Sequence, residues 1–402
     1  MSREEKKKSG KVRRVKKPPA LIWYAAFIVI SLFYRIRYRV RVRREAGRIK
    51  GPAVILAPHV SGKDHYLVGM AAFPERPNFV LSEHFMAMKA LRPVLKMIRA
   101  IPKKMYCADP RAVIGIKRAV RDGRTVVLFP EGRLTWYSRS LRLTDGTAEL
   151  IKQLGVNVYL AVSDGAGLSV PKWAKFKRRG RIEVRTSLLL SSQDVGEKSV
   201  AELRDVISRA IKHDDELSFP DTVFRAPRGA YAEGLGDILW ICPSCLGEGT
   251  LGFERDRITC GCGMSATVDG HGRVYGLGHP GIKGVADWYE WCAARVDTDK
   301  PFSFPCRITR TDDDGYMEKI SESDRGVFTI TRDTVAFEGR IGGADVSFSD
   351  PTGVIKGFPV SVGEHFDLYH QNRLHYVYPD GPGYLSVKAV SYLERVTKAA
   401  ES

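Results

Sequence analysis

Between residues 51 and 213, short apolar runs alternate with amphipathic stretches, and no other feature constrains the fold of this chain as much. The runs at 54–57, 125–129, 156–162 and 181–190 have strand length and are rich in Val, Ile, Leu and Tyr. Helical patterning fills 64–73, 84–99, 111–121, 145–154 and 198–213. Strands separated by helices at this spacing predict an α/β domain, its sheet mixed or largely parallel and covered by helices on both faces. Its end is expected near residue 225.

The charge sits mainly ahead of this domain. Of 64 Lys and Arg in 402 residues, 17 fall within residues 1–50, against three Glu, while residues 301–402 carry 11 basic and 15 acidic side chains. A nucleic-acid binder would spread its excess, so nucleic acid is not an expected partner. Residues 1–19 are basic and end in Pro18-Pro19, the composition of a disordered tail. The 15 uncharged residues 20–34 follow, then Arg35. That run is shorter than the ~20 residues of a spanning helix, and no small-residue cleavage site marks it as a signal peptide. Lys/Arg clusters on both flanks suit an element lying on an anionic lipid surface; a buried helix is the alternative. Residues 35–43 alternate Arg with Ile, Tyr and Val, the period of a strand with one cationic face. Residues 1–50 are thus read as tail, membrane-associating helix and first strand, placed at the cytosolic face of the cytoplasmic membrane.

Downstream, Cys242-Pro-Ser-Cys245 and Cys260-Gly-Cys262 are separated by 14 residues in a glycine-rich stretch. Paired thiolates at such spacings read as a zinc ribbon over 226–280. With sulfur at all four positions the Zn²⁺ would be structural. A linking helix is expected within 281–299. Residues 300–402 break into strand-like runs closed by an amphipathic helix near 386–399, the pattern of a β-barrel-like domain.

Two motifs carry chemistry within residues 51–225. In His59-Val-Ser-Gly-Lys-Asp64, five residues on a helix would turn ~500°, so the two side chains cannot share a helical face. They meet if His59 ends a strand and Asp64 lies in the first turn of the next helix. Asp64 could then accept the Nδ1 hydrogen and leave Nε2 as a base. In Phe129-Pro-Glu131-Gly132-Arg133-Leu, the turn after an apolar strand would put Glu131 and Arg133 on the same sheet edge, where open α/β sheets bind ligands. His375 and Asp380 repeat the five-residue spacing in a strand-and-turn context and are read as chance.

With these blocks 72 residues apart, residues 36–190 resemble the glycerolipid acyltransferases, which include 1-acyl-glycerol-3-phosphate acyltransferase. Pro58 stands where that family's first block has Asn; Arg133 and Leu134 stand where its Glu block has Thr and Arg. The resemblance implies transfer of an acyl group from acyl-carrier protein or acyl-CoA to the hydroxyl of a lysophospholipid or glycerol phosphate. His59 is then the general base, Asp64 its orienter, and Arg133 with Lys103 or Lys104 the donors to the acceptor's phosphate. Glu131 would hold an acceptor hydroxyl or fix Arg133. No acyl-enzyme is required, and Cys107 has no evident partner. The basic loop 172–181 faces either lipid headgroups or an acidic carrier protein, or is simply solvated. The C-terminal runs resemble pleckstrin-homology-like or GRAM-like domains. The competing reading is a lipid-binding scaffold that keeps the fold without turnover, motivated by Pro58, Leu134 and the missing arginine near Lys103.

Overall fold

The structure, a computed structural model, describes residues 18–106, 108–218, 222–355 and 357–401. Most of the basic tail and Cys107 lie outside these residues. A seven-stranded sheet comprises β1 (Arg41–Arg44), β2 (Ala53–Leu56), β3 (Asn78–Ser82), β4 (Ile101–Lys103), β5 (Thr125–Leu128), β6 (Asn157–Asp164) and β7 (Glu183–Leu190). Their order is β1-β7-β6-β2-β5-β3-β4. β2 through β6 are mutually parallel, and β7 runs antiparallel to β6, so the sheet is mixed.

Successive strand residues point to opposite faces, and each face has its own cover. Val54, Leu56, Val126 and Leu128 pack with Ile116, Ile151, Leu203 and Ile207 from the helices Pro110–Arg121, Thr147–Leu154 and Val200–Ala210. Ala53, Ile55 and Val127 pack on the other face with Val68 and Ala72. These two belong to a helix at Asp64–Ala72. The expected α/β layering is therefore present.

Two local expectations are corrected. The alternating residues 35–43 are not one strand: a helix runs Ala20–Tyr38, Arg39 turns left-handed at φ 48°, and β1 starts at Arg41. Phe27, Tyr34 and Tyr38, at helical spacings of seven and four, are buried together, and this packing outweighs the local alternation. Residues 84–99 are likewise not one helix but two short ones, His84–Ala87 and Arg92–Met97, separated by an extended Met88. Pro93 in the first turn of the second was the legible signal.

Beyond the sheet, the cysteine-rich segment forms a four-stranded antiparallel sheet between Leu251 and Tyr275. The C-terminal residues form a curled sheet of seven antiparallel strands, from Phe302–Arg310 to Arg373–Pro379, closed by the helix Tyr384–Glu401. Its outermost strands are Ala344–Pro351 and Val360–Ser361, and no pairing joins them among the described residues, so it is a half-barrel where a barrel was expected. Trp240, Ile258, Trp288, Phe304, Phe328 and Leu393 share one hydrophobic core, which also takes in Trp136 and Tyr137 from the loop after β5. The segments expected as three units are thus fastened to each other and to the site described next.

Candidate active site

β2 and β5 are adjacent and parallel, with Leu56 in register with Leu128. His59 lies three residues past the end of β2 and Glu131 three past the end of β5. Equal overshoot from paired strand ends brings residues 72 positions apart side by side at the carboxyl edge of the sheet.

Asp64 opens the helix Asp64–Ala72, as the five-residue spacing required. Its Oδ2 lies 2.9 Å from His59 Nδ1 and accepts the Ser61 N–H at 2.8 Å. With Nδ1–H donated to Asp64, Nε2 keeps the free lone pair. Phe129 stacks on the imidazole with ring centroids 4.2 Å apart, and His65 meets its edge at 5.3 Å. The His59 side chain keeps 14% exposure, whereas Asp64 is fully enclosed. Burial pushes the imidazole pKa down, assisted by Lys172, and pushes the Asp64 carboxyl up. His59 is therefore an unprotonated acceptor at neutral pH.

Glu131 is placed differently from either role expected of it. Its Oε1 accepts the His59 N–H at 2.7 Å and its Oε2 the Leu141 N–H at 2.6 Å. The Thr135 N–H donates to the His59 carbonyl at 2.9 Å, completing a clasp between the two loops. Gly132 permits the turn, with φ at +80° and a Cβ there falling 2.8 Å from Thr144 Cγ2. Burial raises the Glu131 carboxyl to about 7, against the pull of its two N–H donors. A carboxylate holding the backbone of His59 should make the site's function depend on its ionisation. The expected pH profile of kcat/KM has an acid limb with a midpoint near 7, not at the imidazole, whose pKa lies at about 3. In Glu131→Gln that limb should vanish and the plateau should fall, since an amide cannot accept from both N–H groups.

Two of the three cations expected to meet phosphate, Arg133 and Lys104, are engaged by the C-terminal half-barrel and its helix. Arg133 is 7% exposed, pairs with Glu394 of the helix Tyr384–Glu401, and lies 4.1 Å over the Trp136 ring. Burial works against its charge, but Glu394 together with Tyr106, Tyr289 and Tyr137 outweighs this and holds the guanidinium pKa above its usual value. Lys104 is buried, donates to Asn372 Oδ1 and lies 5.3 Å from the Tyr369 ring centroid. Lys103 is half-buried on the edge strand β4. Tyr106 packs directly on Gly357. Glu394→Ala would strand the buried guanidinium, and a loss of roughly 3–5 kcal/mol is expected for an uncompensated buried charge. Thermal unfolding of Glu394→Ala against Glu394→Gln, which keeps an acceptor, measures it.

The second His-x4-Asp spacing does not form a pair. His375 Nδ1 faces the Arg373 carbonyl at 3.1 Å, while Asp380 lies 3.8 Å from Arg307 and 3.7 Å from Arg325. Sequence reasoning did not identify Phe129, Ser61, Thr135, Trp136 or Glu394 as parts of the site. Thr135 and Glu394 act through a hydrogen bond and a charge to distant partners, Ser61 through a backbone N–H that no pattern marks, and only the aromatic side chains beside the Glu131 turn offered a local cue.

The four cysteines converge. Their Sγ atoms all lie within 4.8 Å of one another, with Cys242–Cys262 at 3.8 Å and Cys245–Cys260 at 3.7 Å. Four thiolates at ~2.3 Å from a tetrahedral zinc would be separated by about 3.8 Å. The residues therefore fit a metal ion, and with four sulfur ligands it would have no open position for substrate.

A crystal structure titled as the 1-acyl-sn-glycerophosphate (LPA) acyltransferase PlsC of Thermotoga maritima is similar at 18% identity. The match covers 48% of this chain and 76% of that one, with a TM-score of 0.41. Residues 37–162 match the family model described as Acyltransferase, and this stretch holds His59, Asp64 and Glu131. The paired loops at the carboxyl edge of the sheet thus lie within the stretch that is similar to the Acyltransferase family.

Proposed function

We propose that the protein transfers a fatty acyl group from an acyl-CoA or acyl-carrier-protein thioester to the hydroxyl of a lysophospholipid such as 1-acyl-glycerol-3-phosphate. The observation that carries this reading is the 2.9 Å contact between His59 Nδ1 and Asp64 Oδ2 inside the matched domain. His59 Nε2 takes the acceptor's hydroxyl proton as its oxygen attacks the thioester carbonyl. The tetrahedral intermediate collapses with cleavage of the C–S bond, and the thiolate recovers the proton from the imidazolium. Asp64 steadies the ring and offsets its transient charge. No covalent acyl-enzyme is needed.

Arg133, Lys103 and Lys104 remain the proposed phosphate contacts, and each already holds interactions that an acceptor would have to displace or share. Cys242, Cys245, Cys260 and Cys262 are proposed to hold a structural Zn²⁺. The protein is proposed to work at a membrane surface, on the cytosolic face. No described helix is long and apolar enough to cross a membrane. The helix Ala20–Tyr38 leaves Leu21, Ile28, Val29, Leu32, Phe33 and Ile36 exposed, which suits shallow insertion.

Thiol release from acyl-CoA and acyl-carrier protein, measured across a panel of lysolipids and glycerol phosphate, tests the reading. Turnover is expected with a phosphate-bearing lysolipid. A zinc-loaded, folded protein inert on every acceptor would favour the scaffold reading instead.

A further inference from the structure

The helix Ala20–Tyr38 ends beside a groove of about 1000 Å³ that includes none of the residues around His59. Arg37, Arg39, Arg41, Arg179, Arg181 and Arg225 line it, and among the described residues no carboxylate does. Phe33, Ile36 and Val223 supply its apolar wall, all three more than half exposed. The wall is built from fixed backbone. Arg39 is the left-handed residue that ends the helix. Arg41 starts β1 opposite Glu183 of β7. Arg179 and Arg225 exchange backbone hydrogen bonds of 2.9 and 2.8 Å. Gly180, between two of the arginines, approaches Phe224 so closely that a Cβ would fall 2.1 Å from its ring. Guanidiniums gathered around one cleft give it a positive potential, and an anion seated among them would lower their mutual repulsion.

The position of the groove narrows the choice of anion. Arg41, Glu183 and Asp164 are in register across β1, β7 and β6, so the groove opens at the carboxyl end of β6. That is the sheet edge that also carries His59. From β1 to β2 there are three strand spacings, roughly 14 Å. A bilayer lying against this edge would meet the exposed face of the helix, the groove and the acceptor site together.

We infer that the arginine-walled groove binds the phosphate headgroup of an anionic phospholipid, its acyl chain lying over Phe33, Ile36 and Val223. Guanidinium is the side chain suited to bidentate phosphate contact, and the apolar wall distinguishes a lipid from a soluble anion. The bound lipid is not the acyl acceptor: it docks the sheet edge so that His59 faces the membrane. This rests on the membrane-surface reading above but not on turnover.

Co-sedimentation of the full-length protein with phosphatidylcholine vesicles, with and without phosphatidylglycerol, tests it. Wild type should prefer the anionic vesicles, and Arg39→Gln/Arg179→Gln/Arg225→Gln should partition on the order of a hundredfold more weakly, about fivefold per charge. The corresponding triple Lys variant should keep most of the binding, which excludes misfolding as the cause. Equal partition of wild type and the triple Gln variant would overturn the inference. So would a triple Gln variant that loses affinity for duplex DNA while its vesicle binding is unchanged. Wild-type turnover of detergent-dispersed lysolipid reports on the transferase reading alone, so failure of either proposal is distinguishable.

Discussion

His59→Ala should lower kcat for acyl transfer by about 10²–10⁴-fold, the usual contribution of a positioned general base, with little change in the melting temperature. The ring makes one side-chain hydrogen bond, to Asp64, and keeps partial exposure, so its removal opens the site without emptying the core. Asp64→Asn tests the other half of the pair. The amide preserves volume, but an NH₂ turned toward Nδ1 would favour the tautomer that protonates Nε2, the nitrogen that must accept. A large fall in kcat with KM nearly unchanged is expected for both. Full activity in His59→Ala would remove the imidazole from the mechanism, whatever the reaction proves to be.

Removing zinc should have the largest effect on stability. Structural zinc contributes an apparent ~10–16 kcal/mol to the folding of small zinc-finger peptides at neutral pH, comparable with the whole stability of an ordinary domain. Here the loss would not stay local, because Ile258 and Met264 between and beside the cysteines pack in the core that also holds Trp288, Phe328 and Trp136. Purified protein should contain one zinc per chain. A strong chelator, or Cys245→Ser, should lower the unfolding temperature steeply and reduce activity in parallel through the loop that carries Arg133. Absence of bound metal together with a chelator-insensitive melting curve would refute the assignment.

What could be read from the chain beforehand follows the range of the interactions involved. The His59–Asp64 geometry was legible because five residues and one strand-to-helix junction determine it. The convergence of the cysteine pairs was legible from their spacing, since thiol chemistry leaves few other uses for it. The clasp made by Glu131 was not: its partners are backbone N–H groups, which every residue except proline possesses and no pattern advertises. β3 and β4 also went unread. β4 has three residues and a proline, tolerable because it lies at the sheet edge. The strand alternation at 35–43 misled because burial of Tyr34 and Tyr38 is a tertiary fact. Glu394 was least accessible of all, for its role depends on a helix folding back onto a turn formed far upstream.

That separation has a consequence for biosynthesis. Arg133 and Glu394 are 261 residues apart in the chain. A nascent protein emerging from the ribosome has its parallel strands, and both members of the imidazole–carboxylate pair, long before the helix Tyr384–Glu401 exists. At ~5–20 residues per second, Arg133 waits tens of seconds for its counterion. During that interval the nascent chain has its imidazole–carboxylate pair but not the carboxylate that neutralises Arg133, so the turn carrying Arg133 reaches the shape described only after 261 further residues have been added.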